Sequence, residues 1–389
     1  MPWKEVVPMS SQLEFVTLAS VPGANVSQVC SRFGISRKTG YKWLDRFRLL
    51  GAAGIRKHST RPLHSPSRTP DDVEATVIAL RQQHGWGGRK ISARMSHLGL
   101  AYVPHHSTVT AILKRHALID PVESKKRVPF IRFEHPAPND LWQMDFKGHF
   151  ALRSGGRCHP LTVLDDHSRF NIVLQACDNE QSATVQERLV IAFQRYGLPQ
   201  RMLMDNGSPW GDDADSPYTK LTVWLMSLGI AVSHCRPFHP QTQGKDERFH
   251  RTLQYELLRH RLINDNGHAQ QLFDPYRHVY NFERPHEALD FAVPASRYSA
   301  SPRCYPGLLP QIEYAPEDIV RRVQQKGRFN FHNRHYIASK AFCGYPIALR
   351  PTVRDGVWDV FFCRFHIGCI DEHAGDRVCR RIDGAPGQC

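Results

Sequence analysis

The sequence predicts a multidomain chain: an α-helical helix-turn-helix arm, an α/β mixed-sheet core and a small C-terminal β-barrel. Three observations carry this. Apolar residues recur at helical spacing up to about residue 118, shift to period two or continuous apolar runs from about 140, and fall in short strand-like runs after 315. The 389 residues also suffice for two to four domains at ~100–200 residues each. Finally, the charge is uneven. The net +14 divides into +12 over 1–134, −3 over 135–291 and +5 over 292–389. Basic ends around a slightly acidic middle point to polyanion binding on either side of an acidic site.

Composition excludes several classes. With 41% hydrophobic and 10% aromatic residues, the chain can bury real cores and is not wholly disordered. No run approaches the ~18 apolar residues of a spanning helix, so no membrane partner is expected. The start MPWKEVVPMSSQLEF lacks a signal peptide's apolar run. The ten cysteines are scattered without a CxxC, which fits reduced thiols in a cytoplasm. Neither these cysteines nor His366 and His373 follow a compact zinc spacing. The expected location is therefore cytoplasmic, with the nucleoid when DNA is bound.

The domains are read as follows. Residues 1–55 form a helix-turn-helix domain, with Ser10 or Ser11 capping the first helix and Asn25 or Ser27 the second. Ser36 caps the third, RKTGYKWLDRFRLL, in which Gly40 costs about 1 kcal/mol against Ala. Arg37, Lys38 and Lys42 lie in that helix's first turns, where a recognition helix meets DNA. Residues 56–70 are a stiff basic linker. Residues 71–120 form a second helix-turn-helix domain: one helix from Asp71, another over 91–98 stopped by Gly99, and a third capped by Ser107. A basic connector spans 121–137. The core, 138–300, reads as three strands (LWQMDFKGHF, HPLTVLDD, RFNIVLQAC), a helix over 181–196, the short strand RMLMD, a helix over 218–228, the extended IAVSHCR and a long helix over 243–262. That order implies a mixed sheet covered by helices. A small barrel spans 315–372, and 373–389 is a tail.

Three carboxylates stand where structural residues are not expected. Asp145 sits inside an apolar strand, where an unpaired charge costs several kcal/mol. Asp205 ends the buried strand RMLMD, and strand carboxyl ends gather ligands. An acid follows in the first turns of the long helix. Phe249, Leu253 and Leu257 form its apolar stripe; Asp246 falls near the stripe's centre and Glu247 at its margin, so spacing does not choose between them. Hard oxygen donors from two strands and a helix can hold Mg²⁺. Two ions about 3.5–4 Å apart can clamp the attacking and leaving oxygens of a phosphoryl displacement.

DFKG around Asp145, DNGSPW around Asp205 and HPQTQGKDERFHRT around Glu247 resemble the Asp-Asp-Glu core of insertion-sequence transposases with a retroviral-integrase-type catalytic domain. The family's Gln-Gly-x-x-Glu form matches Gln243, Gly244 and Glu247, which selects Glu247 over Asp246. YNFERPHEAL (280–289) resembles the motif that follows this core. The spacing is longer than the family's usual one, because GDDADSP (211–217) is inserted; it makes Asp212, Asp213 and Asp215 rival ligands. Retroviral integrases carry an N-terminal zinc module, and here a helix-turn-helix arm stands in its place.

The resemblance implies a ribonuclease-H-like core and a DNA transposase: a polynucleotidyl transferase that cleaves strands at the element's ends and transfers them into target DNA. It makes Asp145, Asp205 and Glu247 both the catalytic residues and the ligands of Mg²⁺ or Mn²⁺, with two ions. Lys245, Arg248 and Arg251 would contact phosphates beside the site, alongside Arg37, Lys38 and Lys42 in the arm. The partners implied are double-stranded DNA of the element ends and the target, and a homodimer or larger assembly on that DNA. A catalytically inactive, transposase-derived regulator is the competing reading.

Overall fold

In the computed structural model, which describes residues 8–56, 68–119, 134–211, 218–234, 244–259 and 261–378, helix formation in the arm begins earlier than the serines suggest. α1 (Pro8–Ala19) opens on a proline, whose fixed φ suits a first helical turn, so Ser10 and Ser11 lie inside the helix. α2 (Val26–Arg32) is capped by Asn25, whose Oδ1 accepts from the Gln28 N–H at 3.2 Å. α3 (Arg37–Leu50) is capped by Ser36, whose Oγ accepts from the Thr39 N–H at 3.2 Å. Phe15, Val16, Cys30, Ile35 and Leu44 close a small core among them. Gly40 is buried there, and a Cβ at that position would run into Cys30 Sγ and Phe15. The close crossing therefore outweighs the helix propensity lost at this glycine.

The chain divides into two compact units, Met1–Arg68 and Thr69–Cys389. The second begins with α4 (Asp71–His84), α5 (Gly88–His97) and α6 (His106–Arg115). Asp71, Asp72 and Glu74 lie in the first turn of α4, at the positive end of its dipole. α6 is capped by His105, whose Nδ1 accepts from the Ser107 N–H, so Ser107 is already helical. Val77, Trp86, Ile91, Met95, Val109 and Ile112 form the core of this trio.

The central sheet holds β1 (Trp142–Phe146), β2 (Phe150–Ala151), β3 (Arg157–Asp165) and β4 (Asn171–Cys177). After α7 (Ser182–Tyr196) come β5 (Arg201–Met204), α8 (Lys220–Ser227) and β6 (Ala231–His234). β4, β3 and β1 pair antiparallel; β1, β5 and β6 pair parallel. This is the mixed sheet that the sequence predicts. α7 and α8 cover one face, through Leu189, Phe193, Leu221 and Leu225 against Trp142, Met144, Met202 and Met204. The other face packs Leu164 and Leu174 against α9 (Gly244–Leu253) and α10 (Asn266–Phe282), through Phe249, Leu253, Phe273 and Tyr280. The long helix expected over 243–262 is shorter: α9 passes into one π-helical turn, Gln254–Leu258, and ends.

The terminal domain departs from the barrel expectation. β7 (Ile319–Arg322), β10 (Pro346–Pro351), β11 (Val357–Phe362) and β12 (Phe365–Asp371) form an open antiparallel sheet in the order β12-β11-β10-β7. β8 (Arg328–Phe331) and β9 (Arg334–Ile337) form a separate hairpin. The described strands do not close into a ring. Strand periodicity fixes which residues are strand but not whether the last edge meets the first. Phe329, Phe331, Phe342, Ile347 and Val360 share its core with Val223 and Met226 of α8. The thiols need a correction too: Cys369 is disulfide-bonded, whereas Cys30, Cys158, Cys177, Cys304, Cys343 and Cys363 are free. Scattered spacing hid this, because pairing depends on folded proximity. No described helix is long and apolar enough to cross a membrane.

Candidate active site

The strand alternation of β1 sends Trp142 and Met144 into the α7/α8 core and leaves Gln143 and Asp145 on the opposite face. β5 runs parallel beside it, with Trp142 opposite Met202 and Gln143 opposite Leu203. The same register two residues on sets Asp145 beside Asp205, both at the carboxyl ends of their strands. Gly207 N–H donates to Asp205 Oδ1 at 3.0 Å, and the Asp205 carbonyl lies 2.8 Å from His234 Nδ1 on β6.

α9 lies across β1 and β3. Its His250 is held by Thr162, with Nε2 2.8 Å from Thr162 Oγ1, and its Nδ1 lies 4.0 Å from Asp145 Oδ2 without a hydrogen bond. The Thr162 hydroxyl donates to the Asp145 carbonyl at 3.0 Å. Glu247, one turn before His250, is exposed, and its charge reaches Asp145. Asp246 is fully buried, and neither carboxylate oxygen has a hydrogen-bond partner among the described residues.

The electrostatics are those of crowded acids. Burial first, then the charge of Asp205, then those of Glu180 and Glu247, push Asp145 up to about 7. Burial, followed by Glu180, raises Asp205 as well, while Gly207 and His234 oppose the rise. Burial, then the charge of Asp145, holds Asp246 well above the ordinary carboxylate range. Burial depresses His250 to about 3, so its ring is neutral. Among the described residues no three His, Cys, Asp or Glu side chains stand close enough to hold one metal ion between them. The donor chemistry nevertheless suits a divalent cation: these are hard oxygens, and a positive ion would offset the burial and the repulsion that together raise Asp145.

The other expected residues fall out differently. Lys245 Nζ pairs with Asp166, a buried acid that also accepts from Gln143 Nε2 at 2.7 Å and from the His135 N–H at 2.9 Å. Arg248 is half exposed with Glu287 at 3.7 Å, and Arg251 is exposed. Arg37, Lys38 and Lys42 are exposed on α3. Asp212, Asp213, Asp215 and Gln243 lie outside the described residues. Sequence reasoning missed Glu180 and His250. His250 had a signal, since it lies three residues after Glu247; Glu180, in the loop before α7 and 2.8 Å from His159, had none.

Known families match along the chain. An Integrase core domain model matches 135–240 and a second 228–294; a Helix-turn-helix domain matches 12–62, a Homeodomain-like domain 39–113, and the IS481 family transposase C-terminal domain 318–377. The uncharacterized 39.2 kDa protein of insertion element IS476 from Xanthomonas euvesicatoria is 24% identical over 291 residues, covering 72% of this chain and 80% of its own. The uncharacterized 31.7 kDa protein of insertion element IS407 from Burkholderia multivorans is 27% identical over 167 residues, 43% of this chain; the match spans 57% of that relative's length. A chain of a simian T-cell lymphotropic virus intasome, solved in complex with PP2A regulatory subunit B56 gamma, aligns at TM-score 0.39 and 13% identity over 73% of this chain and 91% of its own, which is too distant to add to the family matches. Helix-turn-helix domain matches ahead of an integrase core domain match liken the chain to DNA-binding proteins of the transposase and integrase class. More narrowly, the matched segments are similar to insertion-sequence proteins with an integrase core domain and to the C-terminal domain of IS481 family transposases.

Proposed function

We propose that this chain cuts DNA at the ends of its mobile element and joins the freed strands to target DNA, with Asp145, Asp205 and Glu247 as the metal-binding catalytic carboxylates. The observation that carries the reading is the parallel register of β1 and β5, which, continued two residues on, brings Asp145 beside Asp205. Mg²⁺ or Mn²⁺ ions, two for this chemistry, would neutralise charge at the scissile phosphate and make bound water more acidic.

The chain's own groups do the positioning. With an ion bound, Asp145 and Asp205 would give up their protons and supply donors from adjacent strand ends, and Glu247, exposed on α9, would have to move to join them. Neutral His250, fixed by Thr162, keeps α9 in register with β1. Arg248 and Arg251 contact phosphates, while Lys245, held by Asp166, fixes the start of the helix. In the first step a water oxygen attacks the phosphodiester at the element's end, and the 3′-oxygen leaves as a 3′-OH. In the second, that 3′-OH attacks a target phosphodiester, and the target's own 3′-oxygen leaves. Arg37, Lys38 and Lys42 contact the element's end, and joining two ends calls for at least two protomers.

Cleavage and strand-transfer assays with Mg²⁺ on wild type and Asp205→Asn test the reading. Wild type is expected to give both cut and joined products, and Asp205→Asn to lose about 10³-fold or more in both steps. Cutting by Asp205→Asn at the wild-type rate would sink the site. Cut product that never joins would leave a nuclease.

A further inference from the structure

Glu256 lies in the π-helical turn that ends the α9 segment, and its side chain is only 10% exposed. Two cations reach it from different parts of the chain. Arg284, of the YNFERPHEAL motif, donates from Nε to both carboxylate oxygens at 3.1 and 3.0 Å and from Nη2 to Oε1 at 2.9 Å. Lys90, on α5 of the second helix-turn-helix unit, sits 3.7 Å from Oε1 and is 21% exposed. A second pair runs parallel, Arg94 of α5 to Glu283 at 2.5 Å. Two residues before Glu256, Gln254 Oε1 accepts from Lys147 Nζ at 2.7 Å, and Lys147 follows Asp145 by two residues.

A buried ion cluster gains little stability over apolar side chains of the same volume, and in some proteins such groups serve to fix one arrangement of their elements. Its position is therefore informative. It clamps the segment that carries Glu247 and His250, at the π turn, a local winding often found at functional sites. We propose that Lys90 is a positioning residue for the catalytic site: through Glu256 and Arg284, the second helix-turn-helix unit fixes the helix that presents Glu247. The proposal rests on the Asp-Asp-Glu reading above. It makes α5 part of the catalytic assembly, and it gives the YNFERPHEAL motif a task, which is to hold Glu256 where Lys90 can reach it.

The test uses the full chain and three variants at α5: Lys90→Met, Lys90→Arg, and Arg89→Met as an exposed neighbour. Melting temperature, amide exchange over 244–258 and affinity for Mn²⁺ alone, read by the loss of free-ion resonance, are compared with wild type. Lys90→Met is expected to melt within about 3 °C of wild type, yet to bind Mn²⁺ about 10-fold more weakly and exchange about 10-fold faster over α9, as when a ligand's outer support is lost. Lys90→Arg and Arg89→Met should match wild type. If Lys90→Met does not fold, Glu256→Gln takes its place. Wild-type exchange and Mn²⁺ affinity in the variant overturn the proposal by themselves. Undiminished Mn²⁺ binding by Asp205→Asn would instead overturn the site reading, and with it the catalytic sense of this one, whatever α9 does.

Discussion

In the first helix-turn-helix unit, Arg37, Lys38 and Lys42 face solvent from the first turns of α3. In the second, Lys90 and Arg94 of α5 are 21% and 17% exposed and reach Glu256 and Glu283 of the integrase core. Two units of similar sequence pattern thus place these particular basic residues in opposite settings. One presents them to solvent, where phosphate can be met; the other uses them to hold itself against the core. A Lys or Arg on a helix-turn-helix helix is a DNA contact only if the fold leaves it outside, and the sequence pattern does not say which.

The largest effect should come from the exposed set. Replacing Arg37, Lys38 and Lys42 together by Ala is expected to weaken DNA binding about 100-fold or more and to lower the salt slope of log K by about 3. Titrations at several salt concentrations read both. A variant that binds as wild type would show that α3 is not the main contact, and the contrast between the units would fail. The next effect concerns packing in the same unit. Gly40→Ala should destabilise it by about 1–3 kcal/mol despite the better helix former, because the new Cβ meets Cys30 and Phe15; denaturant melts of the arm measure this, and a stabilised variant would contradict the close crossing.

The docked unit predicts smaller effects. A double-mutant cycle on Arg94→Ala and Glu283→Ala should return a coupling of about 1 kcal/mol, with DNA affinity unchanged. Zero coupling, or lost DNA affinity in Arg94→Ala, would move α5 to the DNA-facing class. The smallest effect is pH-dependent. The hydrogen bond from His116, helped by Arg115, holds Glu74 below its ordinary 4.5. A carboxylate depressed on folding adds stability above its unfolded pKa and loses it as pH falls through the folded value. Wild type should therefore melt above Glu74→Gln at pH 7, with the gap closing below about pH 4. A gap that widens in acid would reverse the assignment.

Much of the site was legible because it is linear information. Asp145, Asp205 and the acid pair Asp246-Glu247, with the strand, strand and helix carrying them, follow from period and from turn residues such as Asn206-Gly207. The tie between Glu247 and Asp246 was not broken by spacing. The fold buries Asp246 and exposes Glu247, and the choice between them still rests on the family resemblance. Lys245 looked like a phosphate contact because its buried partner, Asp166, lies 79 residues away in the chain. The π turn was invisible for a related reason, since its Glu256 falls among apolar residues and its partners come from α5 and from Arg284.

The sequence by itself determined the helix-turn-helix arm and the mixed sheet, because helical and strand periods, caps and turns are properties of neighbours in the chain. Only the tertiary structure decided which charges are spent inside, that the terminal sheet stays open and that Cys369 is bonded. Each of those depends on which distant groups share a low-dielectric interior, where a charge must find its partner or lose its charge.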